Sequence, residues 1–322
     1  MPAPPFLDLD GRVQYLYDRG YFDRGAITDE HRERLAHINF HYFLGYARNY
    51  RMLVGRGKVG NGERRPDQVF SLIERDHEVS ELIYSGIRRA EWRLRNLVVK
   101  HYCEFFDSTG SFLNESQYVQ TSENSASTLI NQIVGQTLRY REPYVEDRVN
   151  RAAEAEGWIR HRDYTPEARQ ECFRLVQNLE LWSIVDGLSL GTLSRFITEC
   201  DNRENSTDRV WKLIANDLGV AKAVFPTNIM SLTVLRNTVA HHARLWMRPA
   251  TQAPKQPKVF AKRLRRADHK SMLVAFYNLA LFQGPEGYRD FADRVDALVS
   301  ADPVYAYGVQ KVHHHSDPDR SV

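Results

Sequence analysis

The feature that most constrains the fold is a long run of helix-spaced apolar residues between positions 67 and 106. Apolar residues recur there every three or four positions, from Val69 to Val98. That spacing aligns them along one side of an α-helix, whereas a strand would alternate them at every second residue. We therefore predict helix over residues 67–106, either as one long helix or as two helices with a break.

Most of the remaining chain shows the same periodicity, and no convincing set of strands is present. Thr28 is a predicted N-cap, because acidic residues follow it in the first helical turn, and Thr165 followed by Pro166 is another. Further helices are predicted at 28–53, 125–139, 143–156, 165–188, 206–219, from Thr227 or Asn228 to before Pro249, at 271–282 and at 286–300. Helices with short connections predict an all-α bundle.

The composition narrows the class of protein without naming a partner. Lysine and arginine number 44 and aspartate and glutamate 41, so the formal net charge of +3 does not require nucleic acid. The first residues lack the features of a signal peptide, no apolar run is long enough to span a membrane, and the three cysteines are sparse. We expect a cytoplasmic protein with no membrane association, no cofactor and no metal, and interpret His313–His315 as a solvated tail.

The segment Leu235–Trp246 combines an apolar helical pattern with Arg236, Asn237 and two histidines. A histidine can transfer a proton near neutral pH, and an arginine can bind a phosphate and stabilise charge that develops on it. These groups are sufficient for cleavage of RNA without a metal. On a helix, Asn237 and His241 share a face, whereas Arg236 and His241 diverge by about 140°. Arg236 must therefore reach around the helix, or meet His241 of a second copy.

Four further residues are candidates for substrate binding. His242 and Arg244 lie in the same motif, and Glu91 and Arg95 form an i, i+4 pair on the predicted long helix. The Glu91–Arg95 pair is either a surface salt bridge or a second polar layer near the active site.

The sequence also contains a second possible arginine–histidine site and two candidate core residues. Arg95 and His101 permit a second arginine–histidine pair, which would allow an active site within a monomer. We place this arrangement second, because the residues between them lack the N-x-x-A-H character and positions six apart diverge on a helix. Leu245 and Trp246 are predicted core residues.

The string R-N-x-x-A-H followed by x-x-R-L-W, at 236–246, resembles the R-x(4–6)-H ribonuclease motif of the HEPN superfamily. It is most similar to the version found in Abi-like phage abortive-infection proteins. Other segments resemble that family: V-Q-Y-L with R-G at 13–20, N-F-H-Y-F-L-G-Y at 39–46, E-x-x-x-R at 91–95 and L-W-S-I-V-D-G-L-S-L-G-T-L-S at 181–194. Asp186 stands where the family usually has glutamate. The resemblance covers most of residues 10–250.

The resemblance implies a fold. It implies a single HEPN-like helical domain over residues 1–322, with additional peripheral helices. The core would comprise about 67–107 and 165–250, a peripheral insertion about 108–164, and C-terminal helices 268–300.

The resemblance also implies an activity. The chain would be a metal-independent endoribonuclease in phage defence or a toxin, with Arg236, Asn237 and His241 as catalytic residues and a 2′,3′-cyclic phosphate as product. Superfamily active sites commonly form where two motif helices face each other, so one motif per chain predicts a homodimer. RNA is the expected substrate, and an antitoxin, either a protein or a non-coding RNA, is an expected partner. The alternative is a non-catalytic RNA-binding or regulatory module that holds RNA through residues 255–270 and the Gly/Arg-rich loop at 54–66.

Overall fold

A computed structural model describes residues 6–59, 63–140, 142–157, 169–203 and 207–312. Within these ranges the chain forms α-helices and short 3-10 helices but no strand, and an isolated antiparallel bridge joins Thr109 and Glu180. The predicted all-α fold class is confirmed. The α-helices are α1 (Leu9–Asp18), α2 (Asp29–His37), α3 (Phe40–Gly55), α4 (Pro66–Cys103), α5 (Ser125–Arg139), α6 (Pro143–Ala155), α7 (Arg169–Val176), α8 (Leu181–Ile184), α9 (Leu190–Glu199), α10 (Val210–Asp217), α11 (Phe225–Ala240), α12 (Met272–Leu281), α13 (Tyr288–Ser300) and α14 (Pro303–Gln310).

The chain divides into two compact units, and each is assembled from separate parts of the sequence. The first unit takes in Met1–Ser85, Asn237–Tyr277 and Asp290–Val322. The second unit takes in Gly86–Arg236 and Asn278–Arg289. The predicted helical core and peripheral insertion have boundaries that differ from those of these two units. That division stays a prediction.

Two helix caps organise the N-terminal part of the first unit. The Thr28 side chain accepts a hydrogen bond from the His31 backbone N–H, and the His31 ring accepts one from the Thr28 backbone N–H. This reciprocal capping box confirms the predicted start of α2. The Asn39 side chain then accepts two backbone N–H groups from the first turn of α3. The prediction of one continuous helix over 28–53 is therefore wrong, because Asn39 begins a second helix.

The long apolar run forms a single helix, α4, which continues without a break through all 38 residues from Pro66 to Cys103. Its apolar residues are buried along the helix, including Val69, Val79 and Val98, which have no exposed surface. The alternative of two helices is thus excluded.

Residues 165–188 form shorter helices than predicted. The predicted N-cap Thr165 lies outside the described residues, so only α7, α8 and a 3-10 turn represent this region. The Leu181 N–H donates to the Ser108 carbonyl (2.8 Å) instead of to a preceding helical turn. This contact with a distant segment separates α7 from α8.

Local caps explain two further differences. Ser189 accepts the Thr192 N–H and begins α9, a helix outside the predicted ranges, with Gly191 in its first turn. Asp302 caps α14, which was not predicted, and Pro303 occupies the first helical position. The helices predicted at 125–139, 143–156, 206–219, 271–282 and 286–300 correspond to α5, α6, α10, α12 and α13.

Among the described helices, no single one has both the length and the apolar composition of a membrane span. Val210–Asp217 and Lys222–Ala240, bent by 114°, reach those criteria only when they are taken together.

Candidate active site

The motif helix α11 ends earlier than the sequence predicts, at Ala240. The backbone then turns back on itself. The His242 N–H donates to the Val239 carbonyl (3.0 Å), and the Ala243 N–H donates to the Thr238 carbonyl (3.0 Å). These two bonds form a Schellman motif, which closes a helix and satisfies its last carbonyl groups.

The Schellman turn places both histidines of the motif in solvent. His241 and His242 are exposed, and so is Asn237. The His241 N–H donates to the Asn237 carbonyl (3.1 Å), so the two residues are one helical turn apart, as their spacing predicts. His242 has a φ of +52°, in the left-handed region that usually belongs to glycine at this point of the turn.

After the turn, the backbone is held by the buried carboxylate of Asp76, which lies on α4. Its Oδ2 atom accepts the Leu245 N–H (2.9 Å) and the Tyr46 hydroxyl (2.5 Å). Its Oδ1 atom accepts the Trp246 N–H (3.0 Å) and the Tyr305 hydroxyl (2.6 Å). Burial raises the pKa of Asp76, and the four donors oppose that rise. We call these five groups the Asp76 network.

The side chains that follow the histidines pack into the first unit. Leu245 and Trp246 have no exposed surface, which confirms them as core residues. The Trp246 ring stacks on Tyr46, with centroids 6.0 Å apart, and its Nε1 donates to the Val304 carbonyl (3.2 Å). A Cβ on Gly308 would approach within 1.9 Å of that nitrogen, so α14 needs glycine at this contact.

Arg244 has a structural role. Its guanidinium lies 5.5 Å from the centre of the Tyr46 ring and donates to the Gly45 carbonyl. Burial lowers the pKa of Arg244, and the nearby Asp76 acts in the opposite direction. Arg244 lies beyond the end of α11, so it is not part of the helix that carries Asn237. Its predicted contact with substrate stays a prediction.

Arg236 belongs to the second unit, where it is paired with Glu91. Its Nε lies 3.4 Å from one Glu91 oxygen, and the other oxygen lies 3.3 Å from Arg95 Nη1. Arg95 also donates to the carbonyls of Val185 (3.2 Å) and Leu188 (2.9 Å) and is largely buried. The Arg236 side chain is 35% exposed and can therefore reach a ligand. Glu91 thus links the predicted catalytic arginine to a structural one.

His101, the histidine of the second possible site, already contacts other side chains through both ring nitrogens. It is buried, and its two ring nitrogens lie 3.1 Å from Glu104 and 2.9 Å from Asp217. Lys100 contacts the same Asp217 oxygen (2.9 Å). The Arg95/His101 arrangement would need an accessible imidazole, so this structure offers it no support.

The sequence analysis missed the Asp76 network. Asp76 is an acidic residue within a helical run, and nothing in its neighbours distinguishes it from a surface carboxylate. The available signal was its position, three residues after Ile73 and three before Val79, which places it on the apolar side of the helix.

No group of three or more histidine, cysteine, aspartate or glutamate side chains in the described part of the chain is arranged to hold a metal ion. His313–His315 lie outside the described residues. The polar side chains of the motif include two imidazoles, an amide and guanidinium groups.

The fold and the motif together define an all-α protein with two exposed histidines at an anchored helix end. The family model described as Abi-like protein matches residues 33–247, which are 215 of the 322 residues. The chain therefore belongs to the Abi-like family. The matched segment includes Asp76 and Glu91 and ends one residue after Trp246. Comparisons with curated proteins and with solved structures found no match.

Replacing Asp76 with asparagine is expected to destabilise the protein strongly. Asp76→Asn puts an amide NH₂ where an oxygen now accepts two donors, so buried polar groups lose their partners. We expect the free energy of unfolding to fall by about 3 kcal/mol. Urea denaturation measures this, with Tyr305→Phe as the control that removes one donor and costs about 1 kcal/mol. Equal losses in the two variants would contradict the role of the network.

Replacing His242 with glycine is expected to stabilise the protein. Glycine adopts a positive φ without the steric cost that a Cβ imposes, so we expect His242→Gly to add about 1 kcal/mol to the free energy of unfolding. The matched control is His242→Ala, which removes the ring but keeps the Cβ and should give no such gain. Thermal unfolding compares the three proteins, and the same stability for both variants would argue against the left-handed turn.

Proposed function

We propose that this protein is a HEPN-type, metal-independent endoribonuclease that acts in phage defence by abortive infection or as a toxin. The observation that carries the proposal is the exposure of His241 at the anchored end of α11, in a motif that also contains Arg236 and Asn237. Membership of the Abi-like family supports the defence role.

In the proposed reaction, RNA supplies its own nucleophile. A base removes the proton of a 2′-hydroxyl, whose oxygen attacks the adjacent phosphorus and displaces the 5′-oxygen of the next nucleotide. An acid protonates that leaving oxygen, and an imidazole is suited to either proton transfer. Arg236 stabilises the charge that develops on the phosphoryl oxygens. The products are a 2′,3′-cyclic phosphate and a 5′-hydroxyl, and DNA resists because it has no 2′-hydroxyl.

Glu91 has a defined place in this proposal. Its carboxylate orients the guanidinium of Arg236, while Arg95 balances part of its negative charge. The contact with Glu91 is made through Nε, one of the three nitrogens of the guanidinium. Glu91 is therefore a positioning residue, and Asn237 orients the imidazole of His241 one turn away.

We further propose that the active form is a homodimer. The reaction needs an acid and a base, and a second copy supplies a second His241 to the same phosphate. The same helix exposes Met230 to 52%, an apolar side chain that a contact between two motif helices would cover. A nuclease that attacks the RNA of its own cell needs restraint, so an antitoxin, protein or non-coding RNA, is part of the proposal.

A second candidate function is a non-catalytic RNA-binding or regulatory module. One observation favours it: Arg236 is paired with a carboxylate in the free chain, which lowers its availability to a phosphate. In that case RNA would bind through basic surface residues and remain intact.

A cleavage assay distinguishes these functions. We expect purified protein to cleave RNA in the presence of a chelator, with ends that carry 2′,3′-cyclic phosphate and 5′-hydroxyl groups. His241→Ala and Arg236→Ala should each lower the rate by about 10²- to 10⁴-fold, because each removes a group that acts in the transition state. Gel analysis of a labelled RNA measures the rate, and chemical analysis of the ends identifies the products.

The controls for the assay are a DNA of the same sequence and the variant His37→Ala, which removes an exposed histidine outside the motif. The DNA should resist cleavage, and the variant should cleave RNA with full activity. Intact RNA that nevertheless binds in a salt-dependent manner would establish the regulatory module instead. Cleavage that survives His241→Ala would show that the site is elsewhere.

Mixing active and inactive chains tests the dimer. Wild type and His241→Ala are co-expressed in varied proportions and purified together, so that subunits assort at random. If two His241 side chains act on one phosphate, activity should fall as the square of the wild-type fraction. A linear fall would show that each chain works alone. Mixtures with His37→Ala, which should keep constant activity, serve as the control.

A further inference from the structure

The charges of this chain are distributed unevenly along the sequence. Between Leu218 and Ala267 there is no aspartate or glutamate, but there are ten lysine and arginine residues. Subtracting these ten from the overall charge of +3 leaves −7 for the rest of the chain. The modest net charge therefore conceals a strongly basic segment that begins before the motif and continues past it.

The end of this basic segment forms an exposed loop in the first unit. We call residues 251–270 the basic loop. Its cationic and histidine side chains are all exposed: Lys255, Lys258, Lys262, Arg263, Arg265, Arg266, His269 and Lys270. A cluster of this sign and density favours an anionic partner.

Buried anchors determine which loop side chains face outward. Phe260 and Leu264 are buried, and the Phe260 ring packs on Tyr277, with centroids 4.6 Å apart. Arg263 pairs with Asp293 (2.6 Å) and Asp296 (2.8 Å) on α13. Across the described chain, no carboxylate pairs with the other cations of the loop. These cations are thus held on an ordered support without being neutralised.

The loop is closed at its base, close in the chain to the motif. The Ala250 N–H donates to the Lys270 carbonyl (2.8 Å), so the two ends of the loop meet there. The Asp268 carboxylate accepts the Val312 N–H (2.9 Å) and contacts Lys311 Nζ (3.1 Å), which fastens the loop to the residues after α14. Ala250 lies four residues after Trp246, within the same unit as His241.

We propose that the basic loop is a binding surface for the phosphate backbone of RNA. The choice of RNA rests on the proposed function, whereas the preference for a polyanion rests on the charges alone. The loop contains no tyrosine or tryptophan, and its one phenylalanine, Phe260, is buried and cannot stack on a base. The loop therefore binds the RNA backbone without sequence preference, and the motif carries out the chemistry.

A binding experiment tests the loop separately from catalysis. The parent protein carries His241→Ala, so that RNA stays intact, and the loop variant adds Lys258→Gln, Lys262→Gln, Arg265→Gln and Arg266→Gln. Fluorescence anisotropy follows a labelled single-stranded oligoribonucleotide of mixed sequence at increasing salt. We expect the loop variant to bind at least about tenfold more weakly at low salt, and the slope of log K against log salt to shrink by about 0.7 for each lost phosphate contact.

A matched variant separates position from net charge. Arg24→Gln, Arg139→Gln, Arg151→Gln and Arg294→Gln remove the same number of charges from other exposed sites. This control should retain most of the affinity and most of the slope. Equal losses in the control and the loop variant, or no loss in the loop variant, would overturn the proposal. Thermal unfolding verifies that both variants fold.

The remaining arms identify the partner. Polyglutamate at the same charge concentration should displace the RNA poorly, whereas efficient displacement would indicate an acidic protein partner and overturn the proposal. The nuclease proposal can fail on its own. If the wild type leaves RNA intact but still needs the loop to bind it, the nuclease proposal is wrong and the inference about the loop stands. Cleavage by the wild type together with loop-independent binding would defeat only the inference about the loop.

Discussion

The first unit depends on one buried carboxylate, that of Asp76. Its donors come from α3, from α14 and from the last two residues of the motif, at separations of 30, 229, 169 and 170 residues along the chain. A buried carboxylate is stable only when its oxygens are satisfied, so these distant segments must assemble together around it. The network therefore specifies one arrangement more than it adds net stability, since burial itself disfavours the charge.

The consequence for the motif is that the two histidines lie between fixed points. On one side, the Schellman turn closes α11 with backbone bonds to Thr238 and Val239. On the other, Asp76 takes the N–H groups of Leu245 and Trp246, which a continuing helix would have bonded to its own carbonyls. The backbone that carries His241 is thereby ordered at both ends, while its side chain remains in solvent. Such an arrangement suits a group that must transfer protons at a defined place.

What could be predicted from the sequence is the local part of the structure. Helical periodicity identified α4 and most other helices. A helix that buries one side repeats apolar residues every three or four positions, and this pattern lies within the segment itself. The spacing of Asn237 and His241 also predicted their relation, since it depends only on helical geometry. The end of α11 could not be predicted, because it depends on an acceptor 169 residues away. Asn39 and Asp302 are residue types that commonly cap helices, so these two helix starts could have been predicted from the sequence. Hydrophobic periodicity alone does not locate them.

The anchored helix end also carries strain that the rest of the unit offsets. His242 adopts a left-handed conformation that a glycine would adopt more easily, and Arg244 keeps its charge where burial lowers its pKa. A chain selected only for stability would have little reason to combine these features beside an exposed imidazole. The carboxylate of Asp76 compensates for both: it fixes the backbone after the turn and lies near the arginine charge. The same buried charge that organises the fold thus permits a polar, solvent-exposed motif at the end of an apolar helix.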